Sequence, residues 1–454
     1  MDKKEGIHIY ININNLNSVL LDEESGTGRV EHTLHAMNLF FSSVEQYGKQ
    51  LSRNLVVEKI TGSRLHLYTA DDVTASYEEL IKLSAFSFNL INYINAEIPK
   101  YKTLKKFHIS IGAAYGHFYV FEFNIEDYSE ITSIGYVANL AAKIQSRCDN
   151  NELCISQTLY DLLSREKQLK FKMIPDSKLR KYNQSCYYAI RLSEVSSAVL
   201  FSNAIKESIS DRANSINLGD IEFSDVRKKL DYSNLSTKQC KRLEGIPVFA
   251  DVRGFTEKFN EDDSNLEEMT YRTQSILSTL YDVSTNFGGV HVQFQGDREL
   301  SLFHNIPCQT VDGVYQKEQT CYKTAVIASM RMIDAVKKYS VRIGVGEDCG
   351  KLFATKVGAR GEKDNILLGE TVINADLLED KYAGENQIAI SSDVYAKLKA
   401  EDSFLAQQFN YSGSCYITTV GYEQYVGIVS SKMLEESNRR NDYNSAWQSE
   451  DTNE

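Results

Sequence analysis

The chain has 454 residues, 42% hydrophobic and 25% charged, enough apolar surface for two or three cores at ~150 residues per domain and too much for wholesale disorder. Lys and Arg total 50 against 62 Asp and Glu, a net charge of −12. That field excludes a general nucleic-acid or membrane-surface binder, but it allows a polyphosphate ligand that arrives with a divalent metal.

No stretch approaches the roughly 20 apolar residues of a membrane span. The opening MDKKEG lacks the apolar core of a signal peptide. The eight cysteines are dispersed without a CxxC pair, and Cys148 and Cys154 have no histidine close in sequence to complete a zinc set. Ordinary thiols in a reducing compartment are expected, and with them a soluble cytoplasmic protein.

Residues 7–13 (IHIYINI) read as a buried strand, and residues 29–50 carry helical periodicity. Residues 55–60 and 64–68 predict paired strands across Thr61-Gly62. A long helix is predicted over 76–96, stopped near Pro99. Residues 107–114 and 117–123 predict a second strand pair joined through a Gly-containing turn. A helix at 135–145, a strand then a helix over 152–163, and a strand at 187–191 complete this region.

Residues 195–244 lack strand signals, are rich in Ser, Asn, Asp and Lys, and predict helical stretches at 198–208 and 224–230, hence a partly helical linker. The alternation resumes with a strand at 247–251, a helix at 266–286 and strands at 290–295 and 299–303. A helix at 322–339, strands at 341–345 and 351–355 and a helical segment at 370–380 follow. The polar tail, 431–454, is expected to be disordered, with Trp447 its one oddity.

The two regions, 1–194 and 245–430, read as one α/β pattern written twice. VEKITGSRL in the first matches VHVQFQGDREL in the second, and CISQTLYDLL matches AISSDVYAKL. A duplicated unit is the expectation.

Asp251 closes the strand PVFAD, and Asp297 sits in the turn Gln295-Gly296-Asp297 between two apolar strands. Carboxylates at a strand end and a neighbouring hairpin turn can converge on a divalent cation with a preference for oxygen ligands. The stretch Val252-Arg253-Gly254-Phe255-Thr256 can turn backbone N–H groups toward a triphosphate.

These residues resemble the class III nucleotidyl cyclases. FADVRGFT, a helix, then GGVHVQFQGDREL is similar to that family's metal half-site, and the likeness spans both α/β regions. The resemblance implies two ferredoxin-type α/β (α+β) repeats paired head to tail within one chain, so that a monomer holds its own pseudo-dimer. It implies two Mn²⁺ or Mg²⁺ ions per site, held by Asp251, Val252 and Asp297. The first repeat has Asn12 and Ser63 at the aspartate positions. It carries instead Asn139 and Lys143 on one helix face, where the family has an Asn and an Arg that act on the transition state. The second repeat has Ile373 and Leu377 there, with Asn374 one step away. One working site and one dead pseudo-site are implied.

The reaction implied is attack of the ribose 3′-oxygen on the α-phosphorus, with release of pyrophosphate. Triphosphate partners are expected among Arg253, Gly254, Phe255, Thr256 and Lys181 (with Lys178 and Arg180 beside it), and at Lys351. At the family's base-reading positions stand Lys59 and Thr132, an adenine-like pair that disfavours GTP. Arg64 and Tyr68, four apart on one strand face, are similar to the R-x-x-x-Y of bacterial pyrimidine cyclases of anti-phage defence (Pycsar). Their bulk would fill the space of a purine's second ring.

Cytosine shares adenine's acceptor–donor edge, so Lys59/Thr132 suits CTP better, and a Thr hydroxyl also tolerates UTP. Cyclic CMP made for a separate cyclic-nucleotide-activated effector is the leading expectation. Cyclic UMP, an adenylate cyclase and an inactive nucleotide sensor stay open.

Overall fold

The computed structural model describes residues 2–27, 30–125, 128–215, 222–254, 266–311, 314–316, 318–358 and 364–433. Two sheets form, each built around one long central strand. The first contains β1 (Asp2–Ile13), β2 (Leu55–Thr61), β3 (Arg64–Thr69), β4 (Ile109–Ile125), β5 (Tyr128–Ile134), β6 (Glu152–Ser156), β7 (Lys172–Pro175) and β8 (Cys186–Arg191). Its order is β2-β3-β1-β4-β6-β8-β7, with β5 paired to β4.

The second contains β9 (Glu222–Asp225), β10 (Gln239–Val252), β11 (Val290–Gln295) and β12 (Arg298–His304). A separate hairpin, β13 (Gln309–Val311) and β14 (Val314–Gln316), precedes β15 (Ile343–Glu347), β16 (Gly350–Val357), β17 (Asp364–Leu368), β18 (Gln387–Ile390), β19 (Asn410–Ser412) and β20 (Cys415–Thr418). Its order, β11-β12-β10-β15-β18-β20-β19, repeats the first strand for strand. Even the irregularities are shared: β2 bulges between Val57 and Lys59, and β11 between His291 and Gln293.

Period-two alternation sets the two faces of each central strand. In β1, Ile7, Ile9, Ile11 and Ile13 are buried in the first core, where each contributes about 1.5–3 kcal/mol of apolar burial. The core is closed by α1 (Leu16–Thr27), α2 (Glu31–Leu51) and α3 (Val73–Ala96). The start of α3 is fixed by Asp72, whose side chain accepts from the Thr74 and Ala75 amides at 2.8 and 3.1 Å. In β10, Ile246, Val248, Ala250 and Val252 enter the second core. The opposite faces carry His8, Tyr10 and Asn12 in one unit and Pro247, Phe249 and Asp251 in the other.

The units exchange arms. Cys240, Phe353, Val357, Ile366 and Leu368 of the second unit pack into the first core, and Tyr119 and Ile134 of the first pack into the second. This is the head-to-tail pairing of two repeats within one chain. Among the described residues no helix is long and apolar enough to cross a membrane.

Three readings of the sequence are corrected. The expected strand pair at 107–123 is one continuous strand, β4, paired with β1 from Asp2↔Val120 to Ile13↔Ile109. Gly116 lies mid-strand opposite Gly6, where an added Cβ on Gly6 would meet the Thr69 carbonyl. The matching strand of the second unit does break, into β15 and β16. There Pro247 occupies the β10 position equivalent to His8, and without an N–H it cannot continue the ladder.

Residues 222–225 form a strand, not part of a helix. They pair in parallel with the start of β10, with Arg242 Nε 2.7 Å from Asp225. The helix expected at 198–208 begins at Asn203 and runs to Ser215. Most of the tail, 434–454, lies outside the described residues.

Candidate active site

A cavity of about 510 Å³ lies between the units. From the first come the β2–β3 hairpin, with Lys59 and Arg64, and α4 (Tyr136–Gln145), with Asn139 and Lys143. From the second come the end of β10, with Asp251, Val252, Arg253 and Gly254, and the β11–β12 turn, with Gly296 and Asp297. The hairpin turns need left-handed residues, and Gly62 (φ +57°) and Gly296 (φ +71°) supply them. Asn139 Oδ1 sits 3.9 Å from where a Gly296 Cβ would stand, so the helix of one unit abuts the turn of the other.

Glycines seat both equivalent helices on their sheets. A Cβ on Gly112 would lie 2.4 Å from the Gln145 amide nitrogen, and one on Gly346 would lie 2.4 Å from that of Glu379. Gln145 and Glu379 occupy the same place in α4 and in the Glu370–Lys381 helix. Close backbone approach there is what brings Asn139 and Lys143 over the cavity.

Asp251 and Asp297 are both pushed up to about 7. Burial is the main cause for each; the charge of Asp297 adds to it at Asp251, and that of Glu379 at Asp297. Glu379 rises to about 7 as well, through burial and then Asp251. Arg253 lies across Gly344, where any Cβ would collide with its guanidinium. It sits 3.1 Å from Asp251 Oδ2 and 2.5 Å from Glu379 Oε1. Hard oxygen donors held close together and reluctant to ionise could hold a divalent cation, whose charge would relieve their repulsion.

Lys143 Nζ reaches Asp380 of the other unit at 3.2 Å. One turn further on, Arg147 also lines the cavity and holds Asp176 at 3.1 Å. The 177–182 segment, expected to bring a phosphate-binding lysine, brings Tyr182 to the cavity. Its phenol is pushed up to about 12, by burial and then by the charges of Asp297, Asp251 and Asp380. Lys178 and Arg180 are exposed and do not line the cavity. The side chain of Lys181 and the whole of Phe255 and Thr256 lie outside the described residues.

Lys351 does not belong here. Its side chain is 72% exposed and pairs with Glu24 at 3.7 Å. It stands on the second residue of β16, whose ladder with β10 runs toward the first core and away from Asp251.

At the far end of the cavity Lys59 donates to Phe294 O of the other unit at 3.2 Å and to Thr132 Oγ1 at 3.5 Å. Thr132 is buried behind this wall. The Arg64 side chain lines the cavity and makes no hydrogen bond or ion pair among the described residues. Tyr68, expected beside it, is 3% exposed in a core cluster with Phe118 and Leu140 and does not line this cavity. His66, two residues nearer the turn, takes that place and stacks on Tyr10 at 4.2 Å. The strand periodicity that paired Arg64 with Tyr68 also pointed to His66. Arg147 was legible as the next i+4 position after Lys143. The Glu58 bulge had no local signal.

The equivalent aspartate positions of the first unit are neutral and satisfied: Ser63 Oγ donates to Asn12 Oδ1 at 2.7 Å. Ile373 is exposed, and Asn374 bonds Asp348 at 3.1 Å, outside the cavity.

No family model matches the chain. At 23% identity over 398 residues, 82% of this chain and 74% of the relative, it is similar to a Pseudomonas aeruginosa protein named uridylate cyclase. The crystal structure of a class III adenylyl cyclase-like ATP-binding protein from Pseudomonas aeruginosa superposes with a TM-score of 0.69 at 16% identity. It covers 94% of this chain and 90% of that one. That likeness establishes the two-unit fold.

Proposed function

We propose that this chain, a relative of the class III nucleotidyl cyclases, cyclises a pyrimidine nucleoside triphosphate, CTP ahead of UTP, to the 3′,5′-cyclic monophosphate and pyrophosphate. The observation that carries this reading is the convergence of Asp251 and Asp297 from one unit with Lys59, Arg64, Asn139 and Lys143 from the other on one cavity. Neither unit has the full set.

Asp251, Asp297 and the Val252 carbonyl would hold two Mn²⁺ or Mg²⁺ ions. When bound, these would neutralise phosphate charge and acidify the ribose 3′-hydroxyl. In the reaction the 3′-oxygen bonds to the α-phosphorus, its proton leaves, and the bond to the β-phosphate oxygen breaks. Asn139 would orient the ribose. Lys143 would leave Asp380 for the charge that develops on the α-phosphate, with Arg147 one turn behind it. Lys143 lacks the fork of an arginine, and Arg147 supplies one. Gly254 and Tyr182 would face the β- and γ-phosphates, whereas Arg253, whose guanidinium donates to the Glu379 and Ala383 carbonyls at 2.7 Å, would hold Asp251 in place.

Arg64 favours cytosine. Its unpartnered fork needs two adjacent acceptors, and cytosine offers O2 and N3 side by side. Uracil puts N3–H between its two carbonyl oxygens. The relative named uridylate cyclase favours UTP as the second reading, and the Lys59–Thr132 contact keeps ATP as a third. The product would act as a second messenger on a separate effector, in keeping with a role in anti-phage defence. Incubation with Mn²⁺ and each of the four triphosphates tests this, with cyclic CMP the main product expected. Turnover of ATP alone would overturn the pyrimidine reading, and binding without pyrophosphate release would make the protein a sensor.

A further inference from the structure

Behind the base end of the cavity lies a buried polar chain. The His8 ring nitrogen Nδ1 is 2.8 Å from His66 Nε2, and His66 Nδ1 is 3.4 Å from Glu58 Oε2. Glu58 also accepts from the Thr132 hydroxyl and the Ser133 amide, each at 3.2 Å, and from the Ser133 hydroxyl. Glu58 and His66 line the cavity, and His8 sits wholly behind them. His8 Nε2 is buried with no partner among the described residues.

The second unit is an internal control for what this chain is for. The equivalents of His8, Glu58, His66, Thr132 and Ser133 are Pro247, Val292, Leu300, Ile366 and Leu367, all apolar. Val292, Leu300 and Leu367 pack together in one hydrophobic cluster. At these positions the same fold, with the same bulge, is therefore built with apolar side chains; the second unit's own buried pair, His291 and Glu299 at 2.9 Å, stands at the places of Val57 and Leu65, on the other face of its hairpin. Burying the polar set at the base end has a cost that the duplicate avoids there. The polar version occurs only in the unit whose β2–β3 hairpin forms the base end.

We infer that Glu58, His66 and His8 form a hydrogen-bonded relay that positions the base-reading wall, tying the Lys59 strand to β5, the strand that leads into α4. This rests on the reading of the cavity as a nucleotide site. Glu58 is the hub. The bulge turns both Glu58 and Lys59 inward, and the Glu58 carboxylate clamps Thr132 and Ser133 of β5, the strand paired with β4. His8 and His66 are positioning residues behind it.

The charged and titratable groups around the relay are Lys59, Arg64, Tyr10 and Tyr68. Burial pulls the Glu58 carboxyl upward, but His66, Lys59 and His8 outweigh it and hold it well below the carboxylate range. His8 is lowered to about 3 by burial and then by His66.

The test uses the full chain labelled with ¹⁵N-histidine and titrated from pH 4.5 to 8.5. A neutral His8 throughout, with both His8 and His66 ring nitrogens displaced by Glu58→Gln, supports the relay. Independent titration of both rings near 6.5, unmoved by Glu58→Gln, overturns it. A second arm makes the set apolar as His8→Val/Glu58→Val/His66→Leu, importing Val292 and Leu300 of the other unit and using Val at position 8, where the equivalent Pro247 would interrupt the β1–β4 ladder. The relay predicts a folded protein whose KM for its triphosphate rises tenfold or more with kcat within threefold, and whose preference among the four bases relaxes. An unchanged KM and base preference would contradict it. If the wild type makes no cyclic nucleotide, the cyclase reading fails by itself, and the titration still decides the relay.

Discussion

Asn12 and Ser63 in the first unit hydrogen-bond to each other at 2.7 Å, whereas half-buried Asp251 and buried Asp297 at the same places in the second are acids lifted to about 7. The backbone around them is the same down to strand order and a shared bulge. One pair satisfies itself by a hydrogen bond, and the other is a pair of raised acids with Arg253 3.1 Å from Asp251. On the helices the asymmetry reverses: Asn139 and Lys143 face the cavity, and their equivalents are Ile373 and Leu377. Two units share one architecture, and on the proposed reading each contributes a different half of the site.

The largest expected effect breaks this contrast at the metal. Asp297→Ala should lower kcat about 10³-fold or more, and Ser63→Ala less than about twofold, in a Mn²⁺-dependent product assay. Equal losses would mean that both pairs work. Because the metal-free carboxyls stay protonated up to about pH 7, the half-saturating Mn²⁺ concentration should climb as pH falls from 8 to 6. A flat profile would contradict the acid pair as the metal ligands.

Next comes the helix face. Asn139→Ala should cost about 10²- to 10³-fold in kcat, while Asn374→Ala should leave it nearly unchanged. The opposite ranking would reverse the assignment of roles to the two units. A smaller effect is expected at the base: Arg64→Met should raise KM for CTP about tenfold, the worth of one charged hydrogen-bond pair, and narrow the gap between CTP and UTP. Tyr68→Phe should do neither, because Tyr68 lies in the core.

The smallest effect sharpens a structural difference. Glu347 of β15 stands where the first unit has Ala113, and burial lifts its carboxyl to about 7. A raised acid favours the protonated fold, so stability is full below about 4.5 and is lost as pH rises through 7. Glu347→Gln should raise Tm by a few degrees at pH 8, on the order of 1–2 kcal/mol, and leave it unchanged at pH 5. Calorimetry at the two pH values checks this.

Much of this was legible in the chain. Gly62 and Gly296 mark equivalent hairpin turns, the four alternating isoleucines mark β1, and α3 ends where Pro99 predicts. The gathering of Asp251, Asp297, Asn139 and Lys143 around one cavity was expected from the resemblance to the class III cyclases, read onto the two repeats. What escaped depended on contacts distant in sequence.

Continuous β4 was hidden because Gly116 reads as a turn locally, yet it keeps its place in the β1–β4 ladder opposite Gly6. Lys351 looked like a phosphate ligand because charge alone does not say which end of a strand it occupies. Tyr68 obeyed the alternation that placed it with Arg64, yet it lies far enough from the turn to be roofed by Phe118. Glu58 enters the cavity through a bulge, a feature with no composition signal.

A crystal structure of the full chain with Mn²⁺ and a non-cyclisable CTP analogue would test the division of labour most directly. The account predicts one nucleotide per chain, its metals on Asp251 and Asp297, its ring against Lys59 and Arg64, and its ribose beside Asn139. A nucleotide held within one unit, or seated by Asn12 and Ser63, would contradict it.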